Sequence, residues 1–427
     1  MDKNYLLKTQ NAKRLYFEAA ASLPIIDFHN HISVSELAVN KSYENIYELW
    51  LRPDPYKHRL MRICGVPEFY ITGGASPYEK FFNFCSIFPL LAGNPVYDWS
   101  RMELAQVFGI SNLPTADSAE YLWSQINEKL CSSQFSAVNI LKQFNIEYQS
   151  PVATLLDDLT PFNGKDIVPS LRGDNLLSPD NNFLYELKTK TGIEITNTDS
   201  YLQAICVVLD DFSAAGCNFA DHSLDSDFFE KNENGTEILK RLATEYSKRN
   251  WTLLLHIGAK RETSTRLRDI AGPAGGYAAT SNNFPLSKLI DFLGEVEAEG
   301  SLPDTILFPL NMSDQSPISI LQGSFCEDNV SSKVQLGPAW WWCDHSLGIK
   351  NTLASISSFG VLSQFIGMTT DSRSILSFVR HDYFRRILCN WLDNQNTLEE
   401  WELPFEQQKE IIEKICYKNA KTKIIKR

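Results

Sequence analysis

Short apolar runs recur along the chain, with longer amphipathic stretches between them. Eight of these runs read as strands: Pro24–Phe28 (PIIDF), Ile146–Val152 (IEYQSPV), Asp166–Leu171 (DIVPSL), Cys217–Asp221 (CNFAD), Trp251–His256 (WTLLLH), Asp304–Leu310 (DTILFPL), Lys333–Gly337 (KVQLG) and Gln364–Thr370 (QFIGMTT). Strands alternating with helical pattern predict a parallel sheet, because each parallel pair needs a crossover long enough to hold a helix. Several runs are followed by polar or charged residues: His29-x-His31, Arg172, His222, Asn311 and Asp371. In an α/β barrel the active site is built at the C-terminal ends of the strands, and polar residues at those places are what such a site requires.

The gap between the first two strands is too long for one crossover. Residues from about 33 to 143 carry helical pattern rich in aromatics (YENIYELW, YEKFFNFCSIF, AEYLWSQINEKL), which predicts a helical insertion covering one side of the barrel mouth. The 427 residues suit one (β/α)8 barrel of roughly 250 residues plus insertions, so 1–427 is read as a single domain of TIM-type barrel class. The tail, KEIIEKICYKNAKTKIIKR, reads as an amphipathic, solvated terminal helix with a basic end.

Composition narrows the partners. A net charge of −12 argues against nucleic acid, while leaving room for a small anion held by a few arginines. No apolar run is long enough to span a membrane, and the first residues lack the apolar core of a signal peptide. Nine scattered cysteines, with no C-x-x-C pair, fit reduced thiols in a cytoplasmic protein. Dinucleotide, P-loop and serine hydrolase signatures are absent.

Asp27-Phe28-His29-Asn30-His31 is the sharpest local feature. Histidines two apart on a strand point to one side, and neutral imidazoles so placed can bind one divalent metal; ordinary core or surface histidines are the plainer alternative. Asp371, after the last run, can supply a hard oxygen ligand, act as a base, or simply cap the next helix. Arg373 sits at that predicted helix start, where an anion is favoured, and Arg172 follows the third run; each can hold a carboxylate or serve in a salt bridge. His256 ends the fifth run, within reach of a metal or a hydroxyl; His222 is the weaker candidate of the two. Arg380, His381, Arg385 and Arg386 read as mostly structural, and Trp340–Trp342 as packing or a sugar-stacking face.

The segments Asp27–His31, Leu49–Arg62 (LWLRPDPYKHRLMR), Gly93–Trp99 (GNPVYDW), Pro169–Arg172 (PSLR), Asp221–Asp225 (DHSLD), His256–Ala259 (HIGA) and Gly367–Leu388 (GMTTDSRSILSFVRHDYFRRIL) together resemble the uronate, or glucuronate, isomerases of the amidohydrolase superfamily. Order and spacing hold from about residue 5 to 420. The resemblance implies an aldose–ketose isomerase that interconverts D-glucuronate with D-fructuronate and D-galacturonate with D-tagaturonate. It implies His29, His31 and Asp371 as ligands of one divalent metal ion, with zinc the expected occupant. It also implies Tyr56 and Asp371 as the proton-transfer pair, and Arg172, Arg373 and His256 as substrate-binding residues. A homo-oligomer is compatible with it.

Departures accompany the resemblance. Pro55 stands where the family has histidine, Ser150–Thr154 (SPVAT) replaces an acidic stretch, and Tyr277–Asn282 (YAATSN) replaces a stretch with two acids, leaving Ala278 and Asn282. The segment between Asp225 and Trp251 is also short. Two other readings therefore stand beside the isomerase: a metal-dependent hydrolase on the same barrel, and a low-activity or non-catalytic paralogue.

Overall fold

The computed structural model describes residues 2–162, 167–273, 275–281, 284–398 and 401–425. The expected start of the third strand at Asp166, and Asn282, lie outside the described residues. The apolar runs form strands β1 (Ile25–Asn30), β2 (Ile146–Thr154), β3 (Ser170–Arg172), β4 (Phe219–Asp225), β5 (Thr252–Lys260), β7 (Thr305–Pro309) and β8 (Val334–Leu336). They pair in parallel in the order β1-β2-β3-β4-β5-β7-β8, and the two-residue β6 (Ala279–Thr280) adds antiparallel to the end of β5. This is the curled parallel sheet of a (β/α)8 barrel. β5 is buried along all but its last residue, as expected of a strand covered on both faces.

Helices supply the outer layer. In Glu233–Lys248 the buried residues Ile238, Leu239, Leu242, Ala243 and Tyr246 make one stripe at helical spacing, which packs towards the sheet. Between β1 and β2 the chain is helical, and three of those helices open alike. Asp54, Ser76 and Asn94 accept a hydrogen bond from the first-turn backbone, each followed by proline at the first helical position. There proline's fixed φ is preorganised and its missing N–H costs nothing. No helix among the described residues is long and apolar enough to cross a membrane, and the nine cysteines are free thiols.

Four expectations are corrected. The eighth run, Gln364–Thr370, does not form a strand. Side chains take the backbone groups a ladder would use: Ile366 N donates to Gln335 Oε1 (3.2 Å), Thr370 N to Asp27 Oδ1 (2.6 Å), and His29 N to Thr369 Oγ1 (2.9 Å). Two backbone bonds remain, Asp371 N to His29 O (3.1 Å) and His31 N to Ser372 O (2.9 Å). Gly367, at φ +90°, turns the segment so close to the tail that a Cβ there would collide with Ile415 O. Secondly, β4 and β5 extend further than expected, so His222 and His256 lie within strands instead of at their ends. Thirdly, Arg373 precedes a 3₁₀ turn, Ile375–Phe378, and is not at the first turn of an α-helix. Lastly, the tail is not simply solvated: Ile412, Ile415 and Ala420 are buried, and Asn419 donates to Ser363 O and Phe365 O beneath the closing segment.

Candidate active site

A cavity of about 330 Å³ opens at the C-terminal rim, within the roughly 300–1,000 Å³ span of small-molecule sites. His31, Tyr56, Arg172, His256, Asp371 and Arg373 all line it. A larger cavity of about 600 Å³ lies at the opposite rim, among residues flanking strand starts such as Trp251, Asp304 and Lys333. It holds none of the proposed chemistry, so the smaller one is the functional candidate.

β1 delivers His29 to the barrel interior and His31 to the mouth. Both rings turn Nε2 to a single atom: His29 Nε2 is 3.0 Å and His31 Nε2 3.1 Å from Asp371 Oδ1. One carboxylate oxygen is thus shared by the two imidazoles. Asp371 does not cap a helix. It adopts φ +47°, rare for a residue with a side chain and of order 1–3 kcal/mol in cost, and the two histidine bonds account for it. Burial would raise its pKa, but the His29 and His31 hydrogen bonds prevail and hold it well below the usual carboxylate range.

A second arrangement was not foreseen. Within the barrel, His256 Nδ1 lies 2.6 Å from Asp221 Oδ1, while its Nε2 is buried and has no partner. A carboxylate behind one ring nitrogen, with the other left open, is how proteins prepare a metal-ligating histidine. The His256 and His29 ring centroids are 4.7 Å apart. Two groups, His29–His31–Asp221 and His29–His256–Asp371, bring their ligand atoms within 4.8 Å of one another. The donor set therefore fits a cation, with Asp221 and His256 added to the three expected ligands. The histidines of β1 are less well supported: His29 Nδ1 is buried and unpartnered, and His31 Nδ1 faces Arg172 Nη1 at 3.0 Å. Burial above all, with Arg172 adding to it, takes the His31 pKa down to about 4, so the ring is neutral at neutral pH.

The two expected substrate arginines differ. Arg172 is engaged, donating to Asp174 Oδ2 (3.1 and 3.3 Å) as well as to His31. Arg373 makes no hydrogen bond or ion pair among the described residues, so a charged fork stands free at the cavity wall. Tyr56 comes from the insertion, fixed by the Asp54 carboxylate that accepts from its backbone N–H (2.9 Å). Its ring packs edge-on to Trp99 and Trp342, at centroid distances of 5.6 and 5.2 Å. Its hydroxyl is buried without a hydrogen-bond partner among the described residues, and burial, which Arg380 only partly offsets, keeps its pKa well above the phenol value. His222 is structural, with Nε2 2.9 Å from Tyr246 Oη.

Comparison with known proteins shows the family. A family profile described as glucuronate isomerase matches residues 1–237 and 230–423. The chain belongs to that family. It is 36% identical to the uronate isomerase of Caldanaerobacter subterraneus subsp. tengcongensis, over 99% of this chain and 98% of that one. It is 34% identical to the uronate isomerase of Clostridium perfringens, over 98% of each. The structure superposes on the uronate isomerase of Thermotoga maritima with a TM-score of 0.90 at 26% identity, covering 100% of this chain and 99% of that one. The glucuronate isomerase of Caulobacter crescentus, 21% identical, shares the fold with a TM-score of 0.88, over 100% and 98%.

Within this isomerase family the departures acquire a structural account. Pro55 is the first helical residue behind the Asp54 cap, and its carbonyl lies where a Cβ on Gly276 (φ +84°) would collide. Loop and insertion thus touch through backbone. Ala278 contributes its carbonyl, which accepts from Arg59 Nη1 (3.2 Å) and Trp342 Nε1 (2.9 Å). Ser150–Thr154 are part of β2. The residues that sequence reasoning missed, Asp27, Asp221 and Asp344, are all buried acids.

Proposed function

We propose that this isomerase interconverts open-chain aldo- and keto-uronates, D-glucuronate with D-fructuronate and D-galacturonate with D-tagaturonate, by proton transfer between C2 and C1. The observation that carries this is the meeting, in one cavity, of an acid anchored by two histidines, an unpaired arginine and an unpartnered phenol. Arg373 receives the C6 carboxylate by a charge-assisted fork, and Arg172 and His256 orient the hydroxyls. Asp371 divides its work between its oxygens. Oδ1 faces the histidines, and Oδ2 takes the proton from C2 and delivers it to C1. Tyr56 moves the hydroxyl proton from O2 to O1, so that carbonyl and alcohol exchange places. A divalent ion held by His29, His31 and Asp371, zinc by its nitrogen-rich donor set, would polarise the oxygens at C1 and C2.

The same reading treats 1–427 as one barrel domain with its insertion at about 33–143, acting in the cytoplasm on a small anion. Turnover in D₂O tests the chemistry: deuterium enters C1 of the ketose formed from the aldose, or C2 of the aldose formed from the ketose, and metal-replete Asp371→Asn neither turns over nor exchanges. Retained turnover in that variant removes Asp371 as the base. Metal content tests the ligands, since His29→Ala/His31→Ala is expected to lose the ion that the parent protein holds, and equal content in the two sinks the assignment.

A further inference from the structure

Three arginines lie on the helix Val379–Leu398, and they are not alike. Arg385 donates to Leu23 O (2.9 Å) and Pro24 O (2.8 Å). Arg386 donates to Lys3 O (2.9 Å), Tyr5 O (2.7 Å) and Tyr16 Oη (2.9 Å), with Asp382 beside it. Both tie the amino-terminal segment to the helix through short hydrogen bonds. Arg380 is 1% exposed, yet its Nε has no partner, and Nη1 makes only two long bonds, 3.4 Å each, to Asp344 Oδ2 and Thr370 O. Its ion-pair partner among the described residues, Asp344, is also buried and leaves Oδ1 without a hydrogen bond there. Few good hydrogen bonds hold this buried cation; the nearby acids Asp344, Asp54 and Glu103 keep it charged against desolvation.

What Arg380 does touch is specific. The guanidinium carbon lies 4.6 Å from the Tyr56 ring centroid and 3.9 Å from that of Trp99, and both rings come from the helical insertion. The Thr370 carbonyl it reaches belongs to the residue before Asp371. One planar cation therefore contacts the backbone beside one proposed proton carrier and the face of the other.

We propose that Arg380, held by Asp344, is a positioning residue that fixes Tyr56 relative to Asp371 and compensates the charge on its phenol oxygen during turnover. This rests on the reading of Tyr56 as the hydroxyl-proton carrier. In the step concerned, Tyr56 gives its O–H proton to O1 of the sugar and becomes a phenolate next to the guanidinium. It then recovers a proton from O2, so no proton or electron is gained or lost overall. The cation needs no proton of its own to do this. It has to be present, planar and close, and Asp344 keeps it there.

A double-mutant cycle with a uronate substrate tests this, using Tyr56→Phe, Arg380→Met and their combination, each with metal content verified. Arg380→Met is expected to lower kcat on the order of 100-fold while KM stays within about threefold. In the Tyr56→Phe background the same change is expected to lower kcat by no more than about threefold. Arg380→Lys is expected to recover part of the loss. Asp344→Asn keeps the side chain's shape and gives a second arm should Arg380→Met not fold; it is expected to cost roughly tenfold in kcat only when Tyr56 is present. Equal losses in the two backgrounds overturn the inference while leaving the role of Tyr56 intact. A Tyr56→Phe protein with full kcat overturns both.

Discussion

Two sides of the barrel hold together by different means. On the wall formed by β4, β5 and β7, backbone ladders run in register, from Phe219 opposite Thr252 to Leu224 opposite Ile257, and Leu253, Leu254 and Leu255 are fully buried. At the seam between β8, the closing segment and β1, side chains of Gln335, Asp27 and Thr369 stand in for ladder partners. The wall is cohesive because it is apolar and regular. The seam carries His29, His31, Asp371 and Arg373, and it can do so because its backbone is released from the ladder. Chemistry is concentrated where regular pairing stops, and the cost is dependence on a few polar atoms.

Asp27 is the residue on which that dependence is greatest. Its buried carboxylate accepts from Thr370 N and Oγ1, Thr369 Oγ1 and Asn30 Nδ2, and lies 3.1 Å from His381 Nε2. Asp27→Ala leaves those groups unpaired in the interior, at an expected loss of about 3–5 kcal/mol. Leu254→Ala on the wall is expected to lose a similar amount, about 3–5 kcal/mol, by leaving a cavity. Urea unfolding measures both, and metal content separates them: the Asp27 variant releases metal while the Leu254 variant keeps it. An Asp27→Ala protein as stable as its parent, within about 1 kcal/mol, would show that the seam is held by something else.

The same contrast decided what the sequence revealed. The wall was legible because WTLLLH and DTILFPL are apolar runs bounded by polar residues, and the ladder follows that pattern. The H-x-H pair was legible because its spacing places both imidazoles on one side of a strand. The insertion was legible from its aromatic-rich helical pattern. The eighth run misled because QFIGMTT has a strand's composition, whereas its backbone partners are side chains distant in sequence. Asp27 and Asp221 carried an overlooked signal: an acid inside an apolar run is buried with the strand and must find partners there. Nothing local marks Asp344, whose partner Arg380 lies 36 positions away.

The second prediction sets one arginine from each side against the other. Arg373, on the seam, is unpaired; Arg261, beyond β5 on the wall, lines the same cavity but already donates to Asp225 Oδ1 (2.9 Å) and to the Ser223 hydroxyl. An arginine without a protein partner has most to gain from a substrate carboxylate. Arg373→Met is therefore expected to lower kcat/KM on the order of 100-fold, about 2.7 kcal/mol, with Arg373→Lys a partial rescue. Arg261→Met is expected to cost less than about tenfold. Steady-state kinetics on both uronates checks the order, and its reversal would place the carboxylate on the wall side.

The smallest expected effect concerns the buried acids, which respond to pH in opposite senses on the two sides. Asp221 on the wall lies between His256 and His29, and their influence outweighs burial and lowers its pKa, so its contribution to stability is lost as pH falls. Asp344 by the seam is pushed up to about 7 by burial, which Arg380 only partly offsets and Asp371 reinforces. A carboxyl whose pKa is higher folded than unfolded favours folding most when it is protonated in both states. That advantage is lost as pH rises from the ordinary carboxyl range to about 7, because over that window the unfolded chain ionises while the folded protein holds its proton. Asp344→Asn never ionises. Compared on metal-stripped protein, parent and variant are expected to differ little in their pH response below about pH 4. Between about pH 4 and pH 7 the variant gains on the parent, by at most about 1.4 kcal/mol per pH unit, and above pH 7 the gap is level. Paired urea titrations across that range measure the gap. A gap that stays constant with pH would mean that Asp344 is ionised throughout, with Arg380 neutralising it more fully than one 3.4 Å contact to that guanidinium suggests.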